Sequence, residues 1–323
     1  MDTPQTPLRS PFGAASTARE VIAGLDLSGQ LAIVTGGHSG IGLETTRALS
    51  EAGATVIVLA RDAAKATKAV GGWPNVEIDT IDLIGPASID AFAQRFLERG
   101  RKLDLLINNA GFINYAFERD ARGYESQFAT NHLGHFQLTA RLWPALTRGA
   151  RVVTVSSMGH KVAAVDFDDI HFERRPYNDY VAYGQSKSAN ALFAYSLDRI
   201  GRVAGIRSFS LHPGGMITSG FSRDMSEADK KAAGFLDTEG RPVVDPENNM
   251  KTLEQGAATT VWCATSPLLK GMGGVYCENC NIAQAVPANS NAHLGVRPWA
   301  VSPEAAARLW KVSEEATGVR FPG

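Results

Sequence analysis

Short apolar runs alternate along this chain with longer stretches of helical period. Most runs are rich in Val, Ile and Leu, and their apolar residues hardly alternate with polar ones. A strand with this pattern is buried on both faces, as in a parallel sheet that is covered by helices. The runs are LAIVTG (31–36), ATVIVLA (54–60), VEIDTI (76–81), LDLLI (103–107), ARVVTVSS (150–157) and IRSFSL (206–211).

Apolar positions at helical spacing lie between these runs, over residues 41–52, 86–99, 120–147 and 179–201. Strands that alternate with helices of this length form βαβ units, and right-handed crossovers place the helices on both faces of the sheet. The pattern predicts an α/β fold of the Rossmann type, a doubly wound parallel sheet of about seven strands in a single domain.

The sequence predicts one domain with two additions. Residues 1–27 precede the first strand and are interpreted as an N-terminal extension, and residues 28–323 as the Rossmann-fold domain. The stretch 215–250 is polar, Gly-rich and longer than an ordinary connection in a compact domain. This favours a substrate-loop insertion, and the alternative is a tolerated surface insertion.

Charge and composition exclude several classes of protein. The formal net charge is −1 over 323 residues, so bulk charge attracts neither nucleic acid nor an anionic membrane. The chain has no apolar stretch long enough for a membrane span and no signal-peptide core at its N-terminus, which predicts a soluble, cytoplasmic protein. Cys263, Cys277 and Cys280 lack the partners of a disulfide framework or a zinc site, so reduced, partly buried thiols and no metal are expected.

The stretch TGGHSGIG (35–42) follows the first strand and opens a helix. Glycine permits a sharp turn and a close approach of the backbone to a pyrophosphate, and the helix N-terminus directs free N–H groups at the phosphates. The alternative is a glycine-rich turn without a ligand. The predicted cofactor contacts in this loop are Gly36, His38, Ser39, Gly40, Ile41 and Gly42.

The end of the second strand indicates which nicotinamide cofactor binds. Ala60 cannot bond a ribose 2′-OH, whereas Arg61 is placed to pair with a 2′-phosphate, with His38 as a second donor. The sequence therefore favours NADP(H). NAD(H) is the alternative, because a small shift of the chain would make Asp62 a ribose ligand.

Two further strand ends carry candidate cofactor contacts. Asp82 in IDL (81–83), with Leu83 beside it, is placed to accept from an adenine amino group; the alternative is a turn or helix-capping Asp. In NNAG (108–111) the small residues let a cofactor lie against the strand end. The contacts predicted there are Asn109, Ala110 and Gly111.

Three tyrosines stand in RRPYNDYVAYGQSK (174–187), and one of them has a lysine four residues on. On a helix, Tyr183 and Lys187 share a face. A free phenol has a pKa of about 10, and a nearby ammonium favours the phenolate. Tyr183 is therefore the candidate acid–base residue.

The order of these motifs resembles the classical short-chain dehydrogenase/reductase family. TGxxxGxG, NNAG, a serine at a strand end, YxxxK and a Pro-Gly loop follow one another between residues 28 and 285. Six stretches are similar to one branch, that of the retinol dehydrogenases and the WW-domain-containing oxidoreductase. They are NHLGHF (131–136), RVVTVSSMGH (151–160), YGQSKSAN (183–190), LHPGG (211–215), EQGAATTVWCATSP (254–267) and GGVYCENC (273–280).

The resemblance implies a catalytic role for four residues. Tyr183 is expected to be the general acid in carbonyl reduction and the base in alcohol oxidation. Lys187 is expected to lower its pKa and to hold the nicotinamide ribose. Ser157, rather than its neighbour Ser156, is expected to bond the substrate oxygen, and Asn131 to anchor a water. Tyr183 and Lys187 thus count also among the cofactor contacts.

The resemblance also implies contacts near the nicotinamide and an activity. PGGMIT (213–218) fits the pattern PGxxxT, so Pro213, Gly214 and Thr218 are expected at the cofactor. The implied enzyme is an NAD(P)(H)-dependent carbonyl reductase or alcohol dehydrogenase. The alternative is a non-catalytic NADP(H)-binding sensor or scaffold on the same fold, which the intact Ser157, Tyr183 and Lys187 disfavour.

Large apolar residues adjoin the predicted catalytic ones, and no Arg or Lys is placed to anchor an anionic substrate. A hydrophobic ketone, aldehyde or alcohol is therefore expected. The resemblance is compatible with a homodimer or homotetramer through the helices 120–147 and 179–201, and with a monomer. The predicted pocket residues are Phe112, Met158, Tyr177, Tyr180, Met216 and Phe221.

Overall fold

The computed structural model describes residues 2–216, 226–232 and 234–322. Its centre is one sheet with the strand order β3-β2-β1-β4-β5-β6-β7-β8, in which β1 to β7 are parallel and the short β8 is antiparallel to β7. The strands are β1 (Leu31–Thr35), β2 (Thr55–Ala60), β3 (Val76–Thr80), β4 (Leu103–Asn108), β5 (Leu146–Val155), β6 (Arg207–His212), β7 (Val275–Glu278) and β8 (Asn281–Ile282).

The predicted doubly wound parallel fold is confirmed, since all six apolar runs are strands of this sheet. Helices cover both of its faces. They are α1 (Ala18–Ile22), α2 (Gly40–Glu51), α3 (Ala63–Val70), α4 (Pro86–Glu98), α5 (Ser126–Phe128), α6 (Gly134–Leu142), α7 (Asp179–Gly201), α8 (Glu227–Ala232), α9 (Leu253–Thr265) and α10 (Pro303–Thr317).

Side chains of β1 show why the runs hardly alternate. Ala32 and Val34 belong to the apolar cluster beneath α1, α2 and α9. Leu31 and Ile33 belong to the opposite cluster, beneath α4, α6 and α7. Successive residues of a strand point to opposite faces, so a strand between two helical layers needs apolar residues at every position.

The predicted helix 120–147 is shorter and interrupted. The carboxylate of Glu125 caps α5, and a π-helical turn (Ala129–Leu133) joins α5 to α6. At the other end, Trp143–Ala145 form a 3-10 turn that contains Pro144, and β5 begins at Leu146. The stretch before Glu125 is a loop in which Asp120 accepts the N–H groups of Arg122 and Tyr124.

Both ends of the chain are attached to the domain. Near the N-terminus, the Gln5 side chain donates to the carbonyls of Tyr276 and Ala283 and accepts the N–H of Tyr276, so it bonds the backbone of β7. At the other end, α10 packs on α7, and Phe321 contacts Trp310 with ring centroids 4.6 Å apart.

Among the described residues, no helix is long and apolar enough to cross a membrane.

Within the part of the chain that the structure describes, the insertion 215–250 contains α8 and returns to the domain. Gly215 donates to the carbonyl of Asn249 at 2.7 Å, and Lys251 donates to the carbonyl of Gly215 at 2.9 Å. The end of the insertion therefore lies beside the chain that leaves β6.

Cys263, Cys277 and Cys280 are free thiols, and all three are buried.

Phe136→Ala should lower the free energy of unfolding by about 3–5 kcal/mol, because it leaves a cavity that packing cannot refill. Phe136 is fully buried, and its ring lies 5.0 Å from Trp310 and 5.2 Å from Phe321. Denaturant unfolding measures the change. Val203 is 86% exposed, so Val203→Ala should stay within about 0.5 kcal/mol of the unchanged protein. Equal losses in the two variants would contradict this account of the core.

Candidate active site

The predicted cofactor residues lie at the carboxyl ends of the parallel strands. β1 pairs with β2 on one side and with β4 on the other, so the order of strands reverses beside β1. Open α/β sheets bind their ligands in the crevice at such a reversal. The glycine loop leaves β1 at this point and enters α2.

The glycine loop is packed too closely for side chains. A Cβ on Gly42 would lie 2.4 Å from the carbonyl oxygen of Gly36 and 2.5 Å from Nδ2 of Asn109. Gly36 and Gly40 have φ angles of 66° and 55°, which L-residues with side chains rarely adopt. Ser39 stands at the N-cap of α2 without a capping side-chain bond, so the first N–H groups of α2 remain available. These features fit the pyrophosphate of a dinucleotide.

The hydroxyl of Thr35 joins the glycine loop to NNAG. It accepts the N–H groups of Asn109 and Ala110, both at 2.9 Å. His135 lies on its other side, with Nε2 2.9 Å from the Thr35 oxygen and Nδ1 3.0 Å from the carbonyl of Asn131. Because Nδ1 must donate to that carbonyl, the neutral ring accepts at Nε2 from Thr35. Burial supports this form, since it lowers the pKa of His135 to about 4.

The chain after β2 presents a cationic environment. Asp62 caps α3 through the N–H of Lys65 and forms an ion pair with its ammonium at 3.3 Å. Arg61 is exposed beside it. Burial lowers the pKa of His38, and its charged neighbours are Asp62, Lys65 and Arg61. The carboxylate of Asp62 is thus engaged within its own helix.

The other predicted cofactor residues lie near the same edge. Asp82 accepts the N–H of Ile84 at 3.3 Å and so makes a turn, while Leu83 is buried against Gly134 of α6. Pro213 and Gly214 follow β6, and a Cβ on Gly214 would lie 2.7 Å from the Lys251 side chain. Thr218 and Phe221 lie outside the described residues.

Ser157, Tyr183 and Lys187 come together where β5 ends against α7. The Ser157 hydroxyl accepts the N–H of Gly159 at 3.1 Å and is hydrogen-bonded to Tyr183. Lys187 is buried, with Nζ 5.5 Å from the Tyr183 ring centroid and 3.1 Å from the carbonyl of Val155. The neighbouring Ser156 hydroxyl donates instead to the carbonyl of Lys187 at 2.7 Å. Of the two serines, Ser157 is therefore the one beside the tyrosine.

Burial moves the pKa values of this pair toward the neutral forms. It raises the pKa of Tyr183 to about 12, and the hydrogen bond from Ser157 acts against that rise. Burial also lowers the pKa of Lys187 to about 8. Loss of water thus has the largest effect on both groups in this structure. That Lys187 lowers the pKa of Tyr183 stays a prediction.

Asn131 lies in the π-helical turn and faces the same group. Its amide donates to the carbonyl of Phe112 and to the Ser186 hydroxyl, each at 3.0 Å, and its oxygen accepts the N–H of Phe112. A Cβ on Gly111 would lie 3.0 Å from Nζ of Lys187 and 3.3 Å from Oδ1 of Asn131. Gly111 thus lets NNAG pass directly over the lysine and the asparagine.

Exposed apolar side chains surround this group. Phe112 and Met158 are each 37% exposed, and Tyr180, one helical turn before Tyr183, is 47% exposed. The Tyr177 ring stacks on Phe117, with centroids 4.8 Å apart. This arrangement is expected at an apolar entrance to a substrate site. Phe112, Met158, Tyr177 and Tyr180 are called the mouth of the site below.

Two predicted pocket residues have additional partners. The Tyr177 hydroxyl accepts from the Gln127 amide at 2.8 Å and donates to the carbonyl of Asn114 at 3.2 Å, so it anchors the wall. Met216 is buried, and a Cβ on Gly256 of α9 would lie 2.3 Å from its sulfur. Met216 packs against α9, where Gly256 leaves room for its side chain.

Two buried residues in contact with the Ser157 segment were not predicted from the sequence. His212 accepts the N–H groups of Met158 and Gly214 at Nδ1, and the Tyr276 hydroxyl donates to the carbonyl of Ser157. Both lie in motifs, LHPGG and GGVYCENC, that carried the resemblance. Nothing in their spacing indicates which backbone groups they contact.

Comparisons with known proteins show which proteins this chain resembles. The family model described as short chain dehydrogenase matches residues 30–229. A "Probable oxidoreductase" of Streptomyces antibioticus is 43% identical over 90% of this chain and 99% of its own. The WW domain-containing oxidoreductase of Gallus gallus is 36% identical over 85% of this chain and 67% of its own.

The fold has a close counterpart among solved structures. A protein of Mycobacterium paratuberculosis matches 94% of this chain and 98% of its own, with a TM-score of 0.72 and 30% identity. The match extends well beyond the nucleotide-binding half, so the arrangement of the whole sheet is shared.

Gly42→Ala should weaken NADPH binding by about tenfold or more, which corresponds to at least about 1.4 kcal/mol. The new Cβ would lie 2.4 Å from the Gly36 oxygen, so the loop must open. Fluorescence titration of NADPH measures the dissociation constant. A Cβ on Gly13 would meet no atom of the described residues within 4 Å, so Gly13→Ala is the control and should bind normally. Normal binding by Gly42→Ala would show that the loop does not hold the cofactor.

Proposed function

Because the chain belongs to the short-chain dehydrogenase/reductase family, an oxidoreductase family that binds nicotinamide cofactors, we propose that it interconverts hydrophobic ketones or aldehydes and their alcohols with NADP(H). The observation that carries the proposal is the hydrogen bond between Ser157 and Tyr183 beside the buried Lys187, at a mouth of exposed apolar residues.

The residues divide the work of carbonyl reduction between them. A bound nicotinamide supplies the hydride, and negative charge then grows on the carbonyl oxygen. The hydroxyls of Ser157 and Tyr183 are two donors for that oxygen, and Tyr183 gives up its proton. The Lys187 ammonium stabilises the phenolate that this leaves. Asn131 keeps Gly111 and Phe112 in place over the lysine.

The protonation state of Tyr183 favours reduction at neutral pH. With its pKa raised to about 12, the phenol is protonated and ready to donate, and only a small fraction is available as a base. Alcohol oxidation by the same residue needs the phenolate and is therefore favoured by alkaline solution.

The mouth favours an apolar substrate. Phe112, Met158 and Tyr180 offer apolar surface. Two cations nearby already have partners: Lys161 donates to the carbonyls of Ala292 and His293, and Arg119, which lies over the Phe117 ring, donates to those of Gly123 and His171. Aryl and long-chain carbonyl compounds bury such surface on binding, and each buried CH₂ contributes about 0.8 kcal/mol. Small charged oxo-acids gain little there.

The cationic environment after β2 favours NADP(H). Asp62 is engaged with the N-terminus of α3 and with Lys65, so it competes poorly for a ribose hydroxyl. Arg61 is exposed and flanked by His38, which gives a 2′-phosphate two donors.

Tyr183→Phe should lower the kcat for carbonyl reduction by about 10²–10⁴-fold, because the proton donor is lost while packing is kept. NADPH consumption with aryl and long-chain carbonyl compounds, beside small oxo-acids, measures both activity and preference. Tyr195→Phe, in α7 away from Ser157, is the matched control and should retain its kcat. A protein that binds NADPH but reduces none of the panel would instead be a cofactor sensor, and faster turnover of the oxo-acids would refute the apolar substrate.

Arg61→Glu should raise the KM for NADPH by about tenfold or more and leave the KM for NADH little changed, because a charge-assisted bond to the 2′-phosphate is lost. Initial rates with each cofactor measure the two values. Arg148 is exposed near the amino end of the central strand β5, whereas Arg61 follows the carboxyl end of β2, so Arg148→Glu controls for the change in net charge. Equal effects of Arg61→Glu on both cofactors would refute the assignment.

A further inference from the structure

The peptide group between Ser157 and Met158 is held on both sides by buried side chains. Its carbonyl oxygen accepts from the Tyr276 hydroxyl at 3.1 Å and from Nδ1 of His160 at 2.8 Å. Its N–H, which belongs to Met158, donates to Nδ1 of His212 at 3.1 Å. The three side chains are 1% (Tyr276), 1% (His160) and 4% (His212) exposed.

We propose that Tyr276, His160 and His212 are positioning residues that orient the Ser157 hydroxyl by fixing this peptide plane. The proposal rests on the proposed function, because it concerns how the carbonyl-binding donor is held. None of the three residues touches the reacting atoms.

The geometry explains how a peptide plane orients a side chain. The carbonyl of residue 157 and the N–H of residue 158 rotate together about the Cα–C bond of Ser157. With both groups bonded, ψ of Ser157 stays at 164°. Before Ser157, the N–H of Ser156 donates to the carbonyl of Leu211 at 2.8 Å. The side-chain rotamer of Ser157 is held in turn by the N–H of Gly159, which donates to its hydroxyl at 3.1 Å.

The two histidines hold the plane through opposite ring tautomers. His160 accepts the N–H of Arg297 at Nε2, so its proton is on Nδ1 and points at the Ser157 carbonyl. His212 accepts two N–H groups at Nδ1, from Met158 and Gly214, so its proton is on Nε2. Both assignments require neutral rings, and burial lowers the pKa of His160 to about 4 and that of His212 well below its usual value.

Tyr276 reaches Ser157 from two strands away and is itself held. It pairs with Ser210 in β6, which lies between β7 and β5. Its ring lies 4.7 Å from the His160 ring, and its oxygen 3.1 Å from Nδ1 of His160. The Gln5 amide bonds both the N–H and the carbonyl of Tyr276, at 2.9 and 2.8 Å. The N-terminal segment therefore fastens the strand that carries this tyrosine.

A purely structural tyrosine and a positioning tyrosine predict different kinetics. Tyr276→Phe keeps the ring and removes the hydroxyl. If the hydroxyl positions Ser157, kcat for carbonyl reduction should fall about ten- to hundredfold, since small misplacements of reacting groups have effects of that size. The KM for NADPH and its dissociation constant should stay within about twofold, because the glycine loop is untouched.

The matched control is Tyr195→Phe. The Tyr195 hydroxyl is hydrogen-bonded too, as the acceptor of an N–H from Arg199 at 3.2 Å, but it lies in α7 away from Ser157. Its kcat should stay within about twofold, the range of ordinary surface changes. A kcat for Tyr276→Phe that matches this control, at a temperature where both variants are folded, would overturn the proposal.

His212 provides a second measurement if Tyr276→Phe folds poorly. Asparagine can place an acceptor oxygen near the position of Nδ1, whereas leucine cannot. His212→Asn should therefore retain most of the kcat that His212→Leu loses, and equal losses in the two variants would count against the proposal.

The unchanged enzyme separates the positioning role from the proposed function. If it reduces no carbonyl compound, the proposed function fails. If it is active and Tyr276→Phe fully retains that activity, only the positioning role is refuted.

Discussion

The close contact between α7 and the segment after β5 is the constraint on which the candidate site depends. A Cβ on Gly184 would lie 2.7 Å from the carbonyl oxygen of Gly159, and a Cβ on Gly159 would lie 2.8 Å from the Tyr183 ring. Only glycines allow this approach, because interiors are packed too densely to absorb an extra carbon at such distances. Ser157 and Tyr183 meet because two side chains are missing beside them.

The buried face of α7 is polar, which follows from the same contact. Gln185, Ser186, Ser188 and Asn190 are all buried and hydrogen-bonded to backbone or side chains of neighbouring segments. A buried polar group without a partner costs about 1–3 kcal/mol, so any shift of the helix along its axis would break several bonds at once. This network holds the register of α7, and with it the positions of Tyr183 and Lys187.

Features that repeat along the chain could be predicted from the sequence, whereas features that depend on distant contacts could not. The six strands followed from apolar runs, and the Tyr183–Lys187 pair from helical spacing. The π-helical turn at Asn131 could not be predicted from helical spacing, and neither could the link from the Asn131 carbonyl through His135 to Thr35, which is distant in sequence. Met216 was assigned to the pocket by its neighbours in sequence, whereas its packing depends on a glycine in α9.

Burial reverses the order in which the two ionisable groups lose their protons. In water the phenol and the ammonium have pKa values of about 10 and 10.4, whereas here they are about 12 for Tyr183 and about 8 for Lys187. Both groups are therefore neutral between about pH 8 and pH 12, and below about pH 8 a neutral phenol stands beside an ammonium. The hydrogen bond from Ser157 is the influence that acts against the rise at Tyr183. The orientation of Ser157 thus bears on both donors of the site, since it sets one donor directly and adjusts the acidity of the other.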